Sequence, residues 1–361
     1  MNDLFTDDIE EQARRGRGAL RNLTGRFEAL SHHRADDGWE PQEQTAVKTQ
    51  VLDDHPRRIL TRNQSPDVPF DRSINPYKGC EHGCIYCFAR PTHTYLGLSA
   101  GLDFESRIFA KPDAAQLLEK ELRKPGYIPA TIAIGTNTDP YQPIEKDRQI
   151  MRRILEVLDA YNHPVAIVTK GALVTRDTDI LGRMARRGLA KVALSLTTLD
   201  PHLSRRMEPR ASAPQVRLRA IGALARAGVP TGFMVAPIIP ALNDHEIEKI
   251  IEAGARAGAT WCSYVALRLP REVSPLFRDW LDEHYPARAH RIMAQVREMH
   301  GGKDYDSNWG KRMKGEGVYA NLIARRVEAA MKRHDLRRRL APLDCSRFAL
   351  PARKGDQFTL F

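Results

Sequence analysis

Six short apolar runs rich in β-branched residues, with helical patterns between them, constrain this 361-residue chain more than any other feature. The runs are Arg72–Asn75, Thr131–Ile134, Val165–Thr169, Val192–Leu196, Gly232–Val235 and Cys262–Leu267. After a longer first interval they recur roughly every 30 residues, ample for a strand, a crossover helix and a return strand. Helical patterns at Asp113–Arg123, Lys146–Tyr161, Asp177–Arg187, Pro214–Ala227 and Asp244–Ala257 supply the crossovers. The last opens with a polar cap at Asn243 and acids in its first turn, as a helix start should. Strands joined this way lie parallel with helices outside. A six-stranded partial barrel is the economical arrangement, and its chemistry belongs at the carboxyl ends of the strands.

Just beyond the first of these runs stands Asn75-Pro76-Tyr77-Lys78-Gly79-Cys80-Glu81-His82-Gly83-Cys84-Ile85-Tyr86-Cys87. Three thiolates within eight residues grip a metal centre from one side, which suits an iron-sulfur cluster with one iron open to another ligand. The chain holds five cysteines, and Cys262 and Cys345 are far away, so no disulfide framework is visible. Zinc would take His82 or His93 as a fourth ligand, but no second Cys-x-x-Cys accompanies the motif. A Gly-rich, charged loop is also a poor place for three buried structural thiols.

The spacing Cys80-x-x-x-Cys84-x-x-Cys87, with Tyr86 before the last cysteine, resembles the signature of the radical S-adenosylmethionine (SAM) superfamily. That resemblance implies an α/β fold, a partial (βα)6 TIM-like barrel over about Asp71 to Arg268. It implies a [4Fe-4S] cluster on Cys80, Cys84 and Cys87 whose fourth iron binds SAM. One electron, from a donor such as flavodoxin or ferredoxin, would then yield methionine and a 5'-deoxyadenosyl radical.

The polar strand ends supply candidate SAM contacts. Gly135-Thr136-Asn137-Thr138-Asp139 offers a backbone approach and acceptors for an ammonium, with Thr136, Asn137 and Asp139 the residues concerned. Lys170 and Ser195 end the next two strands, where a cation and a hydroxyl suit a carboxylate. Snorkelling to solvent is the alternative for Lys170. Glu208 and Arg210 resemble ribose and carboxylate contacts. Tyr86 and the proline-stiffened run after Val235 are candidates to meet adenine.

Asn75-Pro76-Tyr77, Cys87-Phe88-Ala89-Arg90, Thr138-Asp139-Pro140-Tyr141-Gln142-Pro143 and Val235-Ala236-Pro237-Ile238 resemble the bacterial branch related to spore photoproduct lyase. That likeness implies a DNA substrate and a repair-related reaction. The lyase's hydrogen-donating cysteine has no counterpart in Ile134-Gly135-Thr136-Asn137. Cys262 or Tyr264 could donate instead, with strand alternation expected to turn only one of them inward. A buried structural role is the alternative for Cys262.

A formal net charge of +11 is compatible with a polyanionic partner. It concentrates in Lys311 to Arg339, where ten Lys or Arg face three acids. Residues 1–60 read as a charged, partly disordered or wrapping arm, 61–270 as the core, 271–345 as a basic helical extension and 346–361 as a tail. In that tail Gln357, Phe358, Leu360 and Phe361 resemble the peptide with which repair proteins dock into the DNA sliding clamp. No apolar run approaches the roughly 18 residues of a membrane span, and the chain reads as cytoplasmic. The alternatives are radical chemistry on RNA, protein or a small molecule, and a non-catalytic iron-sulfur or zinc nucleic-acid binder.

Overall fold

A computed structural model describes residues 16–28 and 47–352. Its strands are β1 (Gln50–Asp53), β2 (Leu60–Arg62), β3 (Arg72–Ile74), β4 (Tyr77–Lys78), β5 (Arg107–Ala110), β6 (Ile132–Ile134), β7 (Val165–Thr169), β8 (Ala190–Ser195), β9 (Thr231–Ile238) and β10 (Trp261–Ala266). The main sheet has the order β10-β9-β8-β7-β6-β3-β2. The six strands from β3 to β10 pair in parallel, each beside its successor in the sheet, and β2 adds an antiparallel edge. This is the partial barrel that the alternation predicts.

Both faces of a parallel strand are covered, so alternation gives way to continuous burial. All three residues of β3 and of β6 are buried, as are five of the six in β8. The crossover helices bury one stripe each. Ile150–Ala160 turns Ile150, Met151, Ile154, Leu155 and Leu158 inward, at the three- and four-residue spacing of a helix face.

Four local expectations are corrected. The helix expected over Lys146–Tyr161 is two, Glu145–Arg148 and Ile150–Ala160, parted at Gln149 with φ 49°. Glu145 explains the break, because its carboxylate accepts the backbone N–H groups of Ile150 and Met151 at 3.0 and 3.1 Å and so caps the second helix. Asn243 caps nothing. Its amide donates to the carbonyls of Thr197 and Pro237 at 2.8 and 3.0 Å, tying the ends of β8 and β9 together. β9 continues through Pro237 to Ile238 instead of stopping at Val235. Finally, Cys262 and Tyr264 lie on the same side of β10, since residues two apart share a face. Both are buried in the core with Ile323 and Val327 of the helix Gly317–Arg333, while Val265 lines the barrel interior.

Beyond β10 come the helices Val273–His284, Pro286–Met299 and Gly317–Arg333. The turn around 308–313 joins the two edges of the open sheet. The carbonyl of Met313 accepts from the N–H of Ala266 in β10 at 2.9 Å. Gly310 donates its N–H, and Arg312 its guanidinium, to Asp67 in the β2–β3 hairpin.

The Leu194→Ala variant, at a fully buried position in the middle of the sheet, is expected to lose about 2–5 kcal/mol of stability. An unchanged denaturant midpoint would contradict this placement of the core.

Candidate active site

At the carboxyl ends of the parallel strands opens a cavity of about 290 Å³. Cys80, Cys84 and Cys87 form one wall, with His82 and Tyr86 beside them. Gly135, Thr136, Asn137 and Asp139 enter from the end of β6, Lys170 from β7, Ser195 from β8, and Ala236 and Pro237 from β9. Thus six of the eight SAM-contact candidates and all three cysteines share one space. Glu208 and Arg210 do not line it.

The cysteine loop is fixed mainly through its backbone. The N–H of Cys80 donates to the carbonyl of Phe104 at 2.9 Å, and that of Ile85 to the carbonyl of Met207 at 3.0 Å. Burial pushes the Cys84 thiol up to about 12, against the pull of the Lys170 ammonium. Burial, then Asp139 and the other two sulfurs, push Cys80 well above the usual thiol range. These groups keep their protons at neutral pH unless a metal displaces them. Among the described residues no three of His, Cys, Asp or Glu converge on a single ion. A zinc site asks for that convergence, whereas a cubane takes one thiolate at each of three irons.

Gly135 sits at φ +86°, and a Cβ there would stand 1.9 Å from the carbonyl oxygen of Val168 in β7. Only glycine lets the chain turn so close to its neighbour. Asp139 spends its oxygens inside the protein: Oδ1 accepts from Thr169 Oγ1 at 2.6 Å and from the N–H of Tyr141 at 2.9 Å, Oδ2 from the N–H of Lys170 at 2.7 Å. Burial would raise its pKa, but His82 and these bonds hold it well below the carboxylate range. Asp139 therefore locks the ends of β6 and β7. The Thr136 and Asn137 side chains make no hydrogen bond among the described residues, which leaves them open to a ligand.

Lys170 places Nζ 5.7 Å from the centre of the Tyr86 ring. Burial works against its charge, but Cys84 and Glu208 outweigh that and raise its pKa. Glu208 is buried behind the wall, accepting hydrogen bonds from Tyr86, from Thr197 at 2.6 Å and from Arg217. Burial pushes its carboxyl up, yet Arg217, Lys170 and these hydroxyls bring it down to about 2. Glu208 orients Tyr86 instead of touching the cavity. Arg210 pairs with Glu81 of the cysteine loop at 3.3 Å.

Sequence reasoning missed Arg217, Thr197 and Arg268, and met His82 only as a candidate zinc ligand. Arg217 left a signal: it falls on the apolar face of Pro214–Arg226 with Ala220, Ile221 and Leu224, and an arginine there needs a buried acid. Removing it strands that acid. Arg217→Ala is expected to cost about 3–5 kcal/mol, and Glu208→Gln added to it should recover part of the loss. Equal denaturation midpoints for wild type and the single variant would refute the pairing.

Residues 74–254 match the radical SAM superfamily. An uncharacterized protein of Mycobacterium tuberculosis (strain H37Rv) is 38% identical over 261 residues, covering 72% of this chain and 75% of that one. An uncharacterized protein of Methanocaldococcus jannaschii is 28% identical over 214 residues, 59% of this chain and 76% of its own. Among solved structures, spore photoproduct lyase complexed with dinucleoside spore photoproduct superposes with a TM-score of 0.54 at 19% identity, over 79% of this chain and 78% of the lyase. A variant of the lyase with bound AdoMet and the same dinucleoside gives 0.54 over 79% and 77%. Identity at this level speaks for the fold.

Enzymes of this superfamily use a [4Fe-4S] cluster and SAM. The wall of three thiols, two of them buried, facing unengaged polar side chains and the partly buried Lys170 across the cavity, fits both groups. On its matched span, its relatives and its fold, the chain belongs to the radical SAM superfamily.

Proposed function

We propose that this radical SAM enzyme acts on DNA, in a repair-related reaction of the kind spore photoproduct lyase performs. In this reading Cys80, Cys84 and Cys87 hold the cluster, which when bound supplies the electron that splits SAM into methionine and a 5'-deoxyadenosyl radical. Thr136 and Asn137 meet the SAM ammonium, on a turn that Asp139 braces. Lys170 and Ser195 meet its carboxylate, and Tyr86 flanks the adenosine. Glu208 and Arg210 contribute through Tyr86 and Glu81.

The observation that carries the DNA assignment is Arg268. It lines the cavity together with Val68, Phe70, Phe88 and Met313. Its guanidinium lies 4.6 Å from the centre of the Phe88 ring and 5.9 Å from that of Tyr305. Its hydrogen bonds go to Tyr305 and the sulfur of Met313, and no carboxylate of a described residue pairs with it. Its buried Nε has no hydrogen-bond partner among the described residues. A guanidinium with no ion pair among the described residues, beside half-exposed aromatic rings, is suited to a phosphate and its base. The net charge of +11 favours the same partner.

The tail residues Gln357, Phe358, Leu360 and Phe361 lie outside the described residues, and their docking into the sliding clamp belongs to this proposal, as does reduction by flavodoxin or ferredoxin in the cytoplasm. No helix of the described residues is long and apolar enough to cross a membrane.

Anaerobic protein reconstituted with iron and sulfide, given SAM and a reductant, is expected to form 5'-deoxyadenosine, and the Cys84→Ala variant none. Ultraviolet-irradiated DNA should raise the yield; an equal yield with and without DNA, damaged or intact, argues for another substrate. Arg268→Gln is expected to weaken DNA binding by about 1–3 kcal/mol. Unaltered DNA affinity at every salt concentration would remove Arg268 from the interface.

A further inference from the structure

Residues 16–22, in the stretch that reads as a charged arm, lie across the cysteine loop and reach it largely through backbone. Gly18 and Ala19 donate their N–H groups to the two carboxylate oxygens of Glu105, each at 2.8 Å. The same carboxylate accepts from Nη2 of Arg90 at 2.5 Å, and neither Glu105 nor Arg90 has any exposed side-chain surface. Arg90 passes the contact on: Nε donates to the carbonyl of Cys84 at 2.9 Å and Nη2 to that of Gly83 at 3.1 Å. From the other side, Arg17 donates to the carbonyls of Glu105 and Val47 at 2.7 and 2.8 Å and to Thr49 Oγ1 at 3.1 Å. The Thr49 hydroxyl then donates to Glu81, between the first two cysteines, at 2.7 Å.

The fit is close. A Cβ on Gly18 would stand 1.9 Å from the carbonyl oxygen of Gly83, so a larger residue displaces one backbone or the other. Ala19 is fully buried in the cluster of apolar side chains that includes Cys84, Ile85 and Tyr86. Farther along, Arg21 pairs with Asp279 at 2.9 Å and Asn22 bonds Asp103 at 3.2 Å, which anchors the strap to the body of the protein. A carboxylate this deeply buried requires its cationic and N–H partners together. Removing the strap takes the Gly18 and Ala19 N–H groups from the buried carboxylate of Glu105 and leaves those acceptor positions unmet beside Arg90.

We propose that residues 17–19 are a positioning element for the metal-bearing loop, holding Cys80 and Cys84 in ligating geometry through Glu105, Arg90 and Glu81. This rests on the reading that Cys80, Cys84 and Cys87 carry the cluster. Partners that orient metal ligands in this way govern how firmly the metal is kept.

The test uses the full chain, reconstituted, with Gly18→Ala, Arg17→Ala and Glu105→Gln beside wild type and a control, Arg256→Ala, whose side chain is exposed and pairs with Glu252 away from the strap. Loss of iron to a chelator is expected to be roughly 10- to 100-fold faster in the first three, with altered paramagnetic resonance of the reduced cluster. The melting temperature of Arg17→Ala and the iron retention of Arg256→Ala should stay near wild type, and Arg17→Lys should restore part of the retention. Iron kept equally well by all variants, with unchanged spectra, overturns the proposal. Hydrogen exchange of the amides of residues 79–90 in metal-free protein gives a second readout. Faster exchange in Arg17→Ala supports the strap even if the wild type binds no iron, a result that would by itself sink the cluster reading; unchanged exchange would count against the strap.

Discussion

The cysteine loop stands between two buried arginine–glutamate pairs, Arg90 with Glu105 on one side and Arg217 with Glu208 on the other. Ile85 and Tyr86 sink into an apolar cluster, and guanidinium and amide groups hold the glycine-rich, charged remainder of the loop. The first pair binds loop carbonyls, and the second binds the Tyr86 hydroxyl. Burying such ions is costly unless every lone pair is met. Each carboxylate here accepts at least three hydrogen bonds. The outcome is a rigid rim on which three sulfurs, Lys170 and the β6 turn face one another.

How much of this was legible follows from what each part is made of. β7, β8 and β9 are β-branched runs flanked by helical patterns, and the sequence locates them within a few residues. The three cysteines announce themselves by spacing. The sheet of β1, β5 and β4 does not, because its strands have two to four residues and their pairing joins segments far apart in the chain. The strap escaped for a related reason: Arg17-Gly18-Ala19 has no periodicity, and its contacts are backbone to carboxylate. Glu208 and Arg210 were placed by resemblance at the cavity wall, and their true positions depend on Arg217 and Glu81, which no local pattern connects to them.

The basic run from Lys311 to Arg339 teaches a similar lesson about charge. Lys311 pairs with Glu316, Arg312 with Asp67, Arg326 with Glu248 and Arg338 with Glu328. Part of what looked like a polyanion-binding face is bracing between the C-terminal region and the barrel. Arg268, outside that run, is a cation at the cavity with which no carboxylate of a described residue pairs.

The seam where the two edges of the sheet approach each other consists of Asp67, Arg312 and the Gly310 amide in place of a strand ladder. A barrel closed by main-chain pairing could widen only by tearing its sheet. Here the contact is an ion pair and an amide hydrogen bond, and releasing it leaves every strand of the sheet with its partners. The rim of the cavity at this seam is thus held by contacts in which no residue of the cysteine loop and neither of its two buried ion pairs takes part.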